Sequence, residues 1–142
     1  MTTLKLISLG VTDDERAGEF WRRALGYVRR APRFEGGDWI VLEPRPGEPG
    51  AAIAMDVSQS PVQEFPRVHL DLDAGERDLD AEVDRLVGLG ARHVDWPYYP
   101  EHLPPGARPY VVLADPEGNR FCVEGHRAGG GGRRATPTPT GP

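Results

Sequence analysis

The chain has 142 residues, enough for one domain or for two half-size modules that share a core. Its formal net charge of −5 argues against nucleic acid or an anionic membrane as a partner. Cys122 is the single cysteine, which excludes an intramolecular disulfide framework. The sequence shows neither a membrane-spanning apolar run nor the apolar core of a signal peptide, so we expect a cytoplasmic protein.

The first half of the chain predicts a strand, a helix and three further strands. Residues 4–11 have strand character, and Thr12 or Asp13 can cap the helix that follows. That helix extends to Leu25, where Gly26 ends it, and its apolar residues recur at helical spacing. Three more strands are predicted at residues 27–34, 39–42 and 51–57, separated by turns at 35–38 and 44–50.

The second half repeats this order after a linker at residues 58–66. We predict a strand at 67–73, a helix at 79–89, a strand at 91–96 and a proline-rich loop at 97–109. Two strands then flank the turn 115–118, in which proline and glycine favour a tight reversal. From residue 127 to 142 the chain is rich in Gly, Arg, Thr and Pro, so we expect a disordered tail.

Weak internal similarity supports a duplicated unit. Leu6-Ile-Ser-Leu matches His69-Leu-Asp-Leu at an offset of 63 residues. Trp39-Ile-Val-Leu matches Tyr110-Val-Val-Leu at an offset of 71 residues. Each copy is too short to build a good core alone, so we expect two βαβββ modules, at about 4–57 and 67–125.

The segment from Val111 to Glu124 reads strand, Asp-Pro-Glu-Gly-Asn turn, strand. It resembles the last hairpin of the vicinal oxygen chelate superfamily, which includes glyoxalase I, extradiol dioxygenases and bleomycin-resistance proteins. The Arg67-Val-His-Leu-Asp-Leu strand adds a resemblance to a glyoxalase-like subgroup frequent in actinobacteria. The resemblance covers residues 4–125 and implies an α+β fold in residues 1–126, with two βαβββ modules forming a curved mixed sheet around a central cleft. It also implies a homodimer.

The predicted strand 67–73 alternates between apolar and polar residues. Val68, Leu70 and Leu72 should face the helices, which leaves Arg67, His69, Asp71 and Asp73 on the other face. Unpaired buried carboxylates cost several kcal/mol each, so that face must be wet, paired or ligand-lined. The resemblance makes it the concave face, on which substrate and metal bind in the superfamily.

The resemblance offers one well-matched metal ligand. His69 occupies the position of a metal-binding histidine, whereas Leu6 and Cys122 stand at two other ligand positions, and a hydrocarbon cannot coordinate. The remaining position falls among Ala54, Met55 and Asp56. We therefore expect no bound metal and no other cofactor. A zinc site made by His69, Cys122 and Asp56, or with Glu124 as a substitute, stays open as the alternative.

Cys122 has two interpretations. It is either a nucleophile activated by His69 or a small filler in a strand. Acidic neighbours such as Asp71, Asp73 and Glu124 would raise its pKa, which favours the filler.

Several aromatic residues lie near strand starts and in the loop 97–109. They either stack on a flat organic ligand or cover the ends of the sheet, and both interpretations stay open. Phe20 and Trp21 are predicted core residues instead. The predicted ligand-binding residues are Trp39, Met55, His69, Asp71, Trp96, Tyr98, Tyr110, Cys122 and Glu124.

We predict a non-catalytic protein that binds a small, aromatic organic molecule, of the drug-sequestering kind. The first alternative is a metal-dependent lyase, isomerase or dioxygenase of the superfamily. A third interpretation is an interaction module with a vestigial cleft.

Overall fold

A computed structural model describes residues 1–128 of the protein. The chain divides into two compact units, the first spanning Met1–Val62 and the second beginning at Gln63. This boundary falls inside the predicted linker. The expected disordered tail lies outside the described residues, apart from Arg127 and Ala128. Both of these residues form hydrogen bonds with the first turn of the second helix.

The first unit forms a four-stranded mixed sheet with one helix. Its elements are β1 (Leu6–Val11), α1 (Asp14–Leu25), β2 (Val28–Arg29), β3 (Ile40–Glu43) and β4 (Ala52–Val57). The spatial order of the strands is β1-β4-β3-β2. β1 runs parallel to β4, while the other neighbours are antiparallel.

The second unit repeats this topology. Its elements are β5 (Leu70–Asp73), α2 (Leu79–Leu89), β6 (Arg92–His93), β7 (Tyr110–Ala114) and β8 (Arg120–Glu124). The strand order β5-β8-β7-β6 is the counterpart of the first, and β5 runs parallel to β8. The predicted α+β fold with two βαβββ modules is therefore confirmed. Neither four-stranded sheet closes on itself.

The strand register shows which residue of β4 in the first unit corresponds to Cys122 of β8 in the second, a match that the sequence leaves open. Ala54 of β4 pairs with Ser8 of β1, as Cys122 of β8 pairs with Asp71 of β5. The sequence offset of 63 residues relates Ser8 to Asp71. Ala54 is therefore the counterpart of Cys122.

Local signals in the sequence define the helix ends. Asp13 caps α1, since its carboxylate accepts a hydrogen bond from the Arg16 N–H at 3.0 Å. Gly26 ends the helix with a φ of 67°, a left-handed conformation that glycine adopts without a steric penalty. The side chain of Trp21 is 1% exposed and contacts Phe20 edge to face, so both predicted core residues are confirmed. Neither helix in the described residues is long and apolar enough to span a membrane.

Three predicted strands are shorter than expected. The strand at 27–34 is reduced to Val28–Arg29, and Pro32 lacks the N–H that a longer ladder would need. The strand at 91–96 is reduced to Arg92–His93. The Val112 N–H of neighbouring β7 donates a hydrogen bond to the Tyr99 hydroxyl at 2.8 Å, so it is not available to pair with a longer β6.

The strand predicted at 67–73 begins only at Leu70. β5 pairs with β8 from Leu70 opposite Phe121 to Asp73 opposite Glu124. In this register Val68 would lie opposite Asn119, which precedes β8. Val68 was expected to face the helix, and this is wrong. It is 81% exposed and lies before the strand.

Candidate functional site

One face of the second sheet carries polar side chains on adjacent strands. Asp71 pairs directly with Cys122, and Asp73 pairs with Glu124. Paired residues of neighbouring strands point to the same side of a sheet. The intervening residues of β8, Phe121 and Val123, point to the other side and are buried. The predicted alternation of β5, together with the alternation of β8, therefore places four polar groups side by side on one face of the sheet.

His69, Asp71 and Cys122 form a compact group that we call the polar cluster. The Nδ1 atom of His69 lies 2.8 Å from Asp71 Oδ1, with the imidazole N–H donating to the carboxylate. The Cys122 Sγ atom lies 3.8 Å from His69 Nδ1. The His69 and Asp71 side chains are 34% and 67% exposed, so a ligand can reach both.

The thiol of the polar cluster is a poor nucleophile. Burial, the charge of Asp71 and a hydrogen bond to its carboxylate raise the pKa of Cys122 to about 12. Only a minute fraction is thiolate at neutral pH, and the thiolate is the reactive form. The sequence analysis expected acidic neighbours to raise the pKa of Cys122. Of the three carboxylates it named, Asp71 alone is among the causes of the raised pKa.

The other two carboxylates are held by a residue that the sequence analysis missed. Nη2 of Arg108 lies 2.8 Å from Asp73 Oδ2 and 2.6 Å from Glu124 Oε1. We call this trio the Arg108 bridge. The two carboxylates raise the pKa of Arg108, and the guanidinium lowers the pKa of Asp73. Arg108 lies in the loop two residues before β7, and no sequence signal in that loop pointed to this contact.

A cavity of about 220 Å³ opens over the polar cluster. It lies within the second unit, and all six of its lining residues belong to the predicted ligand-binding set. They are His69, Asp71, Trp96, Tyr110, Cys122 and Glu124.

Other aromatic residues hold the two rings of the cavity in place. Trp96 contacts Phe65 and Tyr98, with ring centroids 5.8 and 5.5 Å apart. Tyr98 was also predicted to bind the ligand. It is exposed and is not among the lining residues, so it contacts Trp96 from outside the cavity. Tyr110 contacts Tyr99 at 5.3 Å, and burial raises the pKa of both phenols. These contacts favour the stacking interpretation for Trp96 and Tyr110.

Two predicted residues belong to the first unit. Trp39 precedes β3 and is partly exposed, whereas Met55 in β4 is 0% exposed. Its side chain packs near Gly18 of α1, where an added Cβ would lie 3.6 Å from Met55 Cγ. Ligand contacts by Trp39 and Met55 stay predictions.

The polar cluster also offers donors for a metal ion. One ligand atom from each of His69, Asp71 and Cys122 lies within 4.8 Å of the others. A nitrogen, oxygen and sulfur set suits zinc better than manganese, which prefers oxygen ligands. Asp71 was not among the donors proposed from the sequence. The first unit has Leu6 at the position matching His69 and Ala54 at that matching Cys122, so it supplies no donor there.

Comparison with known proteins agrees with this architecture. A family model described as a glyoxalase-like domain matches residues 6–124. None of the curated proteins that were compared matches the chain significantly.

Solved structures of the same fold include proteins linked to antibiotics. The fosfomycin resistance protein FosX from Listeria monocytogenes superposes with a TM-score of 0.67 at 17% identity, covering 90% of this chain and 94% of FosX. TnmS3, an antibiotic binding protein from Streptomyces sp. CB03234, gives a TM-score of 0.56 at 21% identity over 87% of this chain and 95% of its own. A similar protein from Burkholderia phytofirmans is described as a glyoxalase/bleomycin resistance protein/dioxygenase family enzyme, with a TM-score of 0.61 and 17% identity over 87% of this chain and 98% of its own. Because this family model matches residues 6–124, most of the chain, the protein belongs to the glyoxalase-like domain family.

Proposed function

We propose that the protein binds a small aromatic molecule in the cavity of its second unit and releases it unchanged. The observation that carries this proposal is the composition of the cavity wall. Trp96 and Tyr110 offer ring surfaces, while Asp71, His69 and Glu124 offer polar groups in the same space. Ligand sites combine apolar and aromatic walls with a few placed polar groups in this way.

The polar groups restrict the ligand further. A pure hydrocarbon would desolvate Asp71 and His69 without replacing their contacts with water, at roughly 1–3 kcal/mol for each unsatisfied group. A ligand with an amine or several hydrogen-bond donors would satisfy Asp71. The proposed ligand is therefore planar, aromatic and positively charged or rich in donors.

The name of one structural relative supports sequestration as the biological role, and the name of another supports a link to antibiotic resistance. TnmS3 is named as an antibiotic binding protein, and FosX as a fosfomycin resistance protein. Both share the fold of this chain. A cavity shaped for a planar amine suits drug binding without turnover, since the Cys122 thiol is a poor nucleophile.

The second candidate is a metal-dependent lyase, isomerase or dioxygenase. The observation that favours it is the polar cluster, whose three donors converge. A FosX variant was crystallised with Mn(II) and a dihydroxypropylphosphonic acid, so a relative of this fold binds a metal. Bound zinc would act as a Lewis acid there, held by His69, Asp71 and Cys122. We prefer the binding protein without a metal, because Leu6 and Ala54, at the matching positions of the first unit, have hydrocarbon side chains that cannot coordinate a metal ion.

A fluorescence titration tests the binding proposal. The probe is 4-methylbenzylamine, with 4-methylbenzoate as the anion of matched size. We expect the amine to quench tryptophan emission and to bind more tightly than the benzoate, because Asp71 attracts a cation. His69→Ala and Asp71→Asn should each weaken amine binding about tenfold through the loss of one polar contact.

Single tryptophan variants locate the response. Trp96→Phe should remove the quenching, because Trp96 lines the cavity. Trp39→Phe is the matched control, and it tests separately whether Trp39 contacts the ligand. If the benzoate binds better than the amine, or if both polar variants bind like wild type, the cavity is not the ligand site. If a wider screen of small molecules finds no ligand, the third interpretation, an interaction module with a vestigial cleft, is favoured instead.

Two further expectations complete the proposal. We propose a homodimer, which light scattering of the purified protein would detect as twice the 15.6 kDa chain mass. We also propose a cytoplasmic location without nucleic-acid partners, which cell fractionation and a nucleic-acid binding assay would test.

A further inference from the structure

We propose that the ligand is larger than the cavity and carries a second ring, which lies outside the cavity on Phe65 and Tyr98. The inference rests on the proposed function and narrows the ligand class to an aromatic amine with two linked rings. The cavity volume of about 220 Å³ falls below the roughly 300–1,000 Å³ that is typical of pockets for drug-sized ligands. Part of such a ligand must therefore lie beyond the lining residues.

Three aromatic rings form a cluster that begins at the cavity wall. Trp96 lines the cavity, and its ring centroid lies 5.8 Å from that of Phe65 and 5.5 Å from that of Tyr98. The centroids of Phe65 and Tyr98 are 5.4 Å apart. We call Phe65 and Tyr98 the outer rings. Because Trp96 belongs to the cavity wall and contacts both outer rings, the aromatic surface continues from the cavity to the outside.

The outer rings remain exposed although each of them contacts two other rings. Phe65 is 46% exposed and Tyr98 is 65% exposed. Both lie outside helices and strands, one before β5 and the other after β6. Rings that only held these two segments together would be most effective when buried, since the gain follows the apolar area removed from water. Exposed apolar groups beside a cavity are instead typical of a binding surface.

The ring geometry sets how the second ring of the ligand would bind. Tyr98 meets Trp96 and Phe65 at nearly right angles, with interplanar angles of 77° and 80°. Neither contact is a stacked one, and the exposure of Tyr98 leaves much of its ring in water. A ligand ring can pack on such a surface at roughly 4.5–7 Å between centroids. Trp96 lies within that distance of both outer rings, so a one-atom linker would span from a ring at Trp96 to a ring outside.

The test compares two amines in the full-length protein. The probes are 4-methylbenzylamine, with one ring, and 4-benzylbenzylamine, with a second ring on a methylene linker and the same positive charge. In wild type, the two-ring amine should bind about tenfold more tightly, because its second ring gains aromatic contacts outside the cavity. Tryptophan quenching should accompany the binding of both amines, since Trp96 lines the cavity.

Variants of the outer rings separate the two parts of the site. Phe65→Ala and Tyr98→Ala should each reduce the two-ring advantage about threefold and leave the affinity for the one-ring amine unchanged. The conservative variants Phe65→Tyr and Tyr98→Phe keep the rings and should retain the advantage. Phe34→Ala is the matched control, because Phe34 is an exposed phenylalanine of the first unit, 60% exposed. It should change neither affinity.

Each other outcome overturns the inference in a recognisable way. If wild type binds the one-ring amine but gains nothing from the second ring, the inference fails and the proposed function stands. The same holds if the advantage persists when both outer rings are replaced by alanine. If neither amine binds, the proposed function fails and the inference falls with it. If the alanine variants keep the advantage but convert a dimer to monomers in light scattering, the outer rings form a protein interface instead.

Discussion

The two units share one backbone plan but carry different chemistry at matching positions. In the second unit, Asp71 of β5 faces Cys122 of β8. In the first, Ser8 of β1 faces Ala54 of β4 in the same register. The strand order, the parallel pair and the crossover helix are alike in both. The fold therefore does not require a polar cluster, and its side chains are free to serve a ligand.

The largest expected effect concerns the reactivity of Cys122. At pH 8, iodoacetamide should alkylate it about a thousandfold more slowly than an ordinary thiol, because a pKa of about 12 leaves little thiolate. The rate should rise as pH increases towards that pKa. Asp71→Asn removes the nearby charge, lowers the pKa and should speed alkylation. Mass spectrometry of native and urea-unfolded protein measures the difference, and equal rates in the two states would contradict it.

The second prediction concerns the turn between β7 and β8. Asp115 is buried, and its Oδ1 atom accepts hydrogen bonds from the Glu117 and Asn119 N–H groups, both at 2.9 Å. Asp115→Ala should lower the free energy of unfolding by about 3 kcal/mol, because it removes both of these hydrogen bonds from a buried turn. Asp115→Asn retains an oxygen acceptor and should lose less. Urea denaturation monitors both, and a neutral Asp115→Ala would show that the carboxylate does not hold the hairpin.

The signals that predicted the fold are local ones. Asp13 and Gly26 mark the ends of α1, and the Asp-Pro-Glu-Gly-Asn turn marks the last hairpin because its aspartate binds the turn backbone. Spacing within one strand placed Asp71 and Asp73 together on one face. Such features depend on neighbours a few residues away, so the sequence carries them directly.

The features that were missed depend on partners distant in sequence. Arg108 reaches Asp73 across 35 positions of the chain, and no pattern near Arg108 announces that contact. Val68 is exposed because it lies before the point at which β8 begins, so it has no strand residue to pair with. The match of Ala54 to Cys122 likewise needed the pairing register. Composition and periodicity hold no information of this kind.

The third prediction makes the second unit resemble the first. His69→Leu places at position 69 the residue found at Leu6, its counterpart, and should weaken 4-methylbenzylamine binding about tenfold. Because His69 is partly exposed and lies before β5, the thermal midpoint should change little. Calorimetry gives both values, and the matched control Leu6→Ala should leave affinity unchanged. Lost stability with retained binding would mean that His69 supports the fold and not the ligand.

The fourth prediction compares the helix caps of the units. The Asp13 carboxylate accepts a hydrogen bond from the Arg16 N–H at 3.0 Å, and Asp13→Ala should lower the free energy of unfolding by about 1 kcal/mol. Asp78 accepts from Ala81 at 3.0 Å and also from Ala128 at 2.6 Å, which ties the chain beyond β8 to α2. Asp78→Ala should therefore lower the thermal midpoint more than Asp13→Ala. Equal losses would mean that the Ala128 contact adds no stability.

The smallest effect is expected from metal removal. His69 and Asp71 already satisfy one another at 2.8 Å, and the matching positions of the first unit hold the hydrocarbon side chains of Leu6 and Ala54. Protein purified without chelator should therefore contain far less than one equivalent of zinc, iron, nickel or manganese. Dialysis against EDTA should leave amine binding unchanged. Elemental mass spectrometry of wild type and His69→Ala makes the measurement. A metal-to-protein ratio near one in wild type, lost in His69→Ala, would contradict the metal-free binding protein and support the metal-dependent enzyme. The donors of the polar cluster would then hold an ion with an open coordination position.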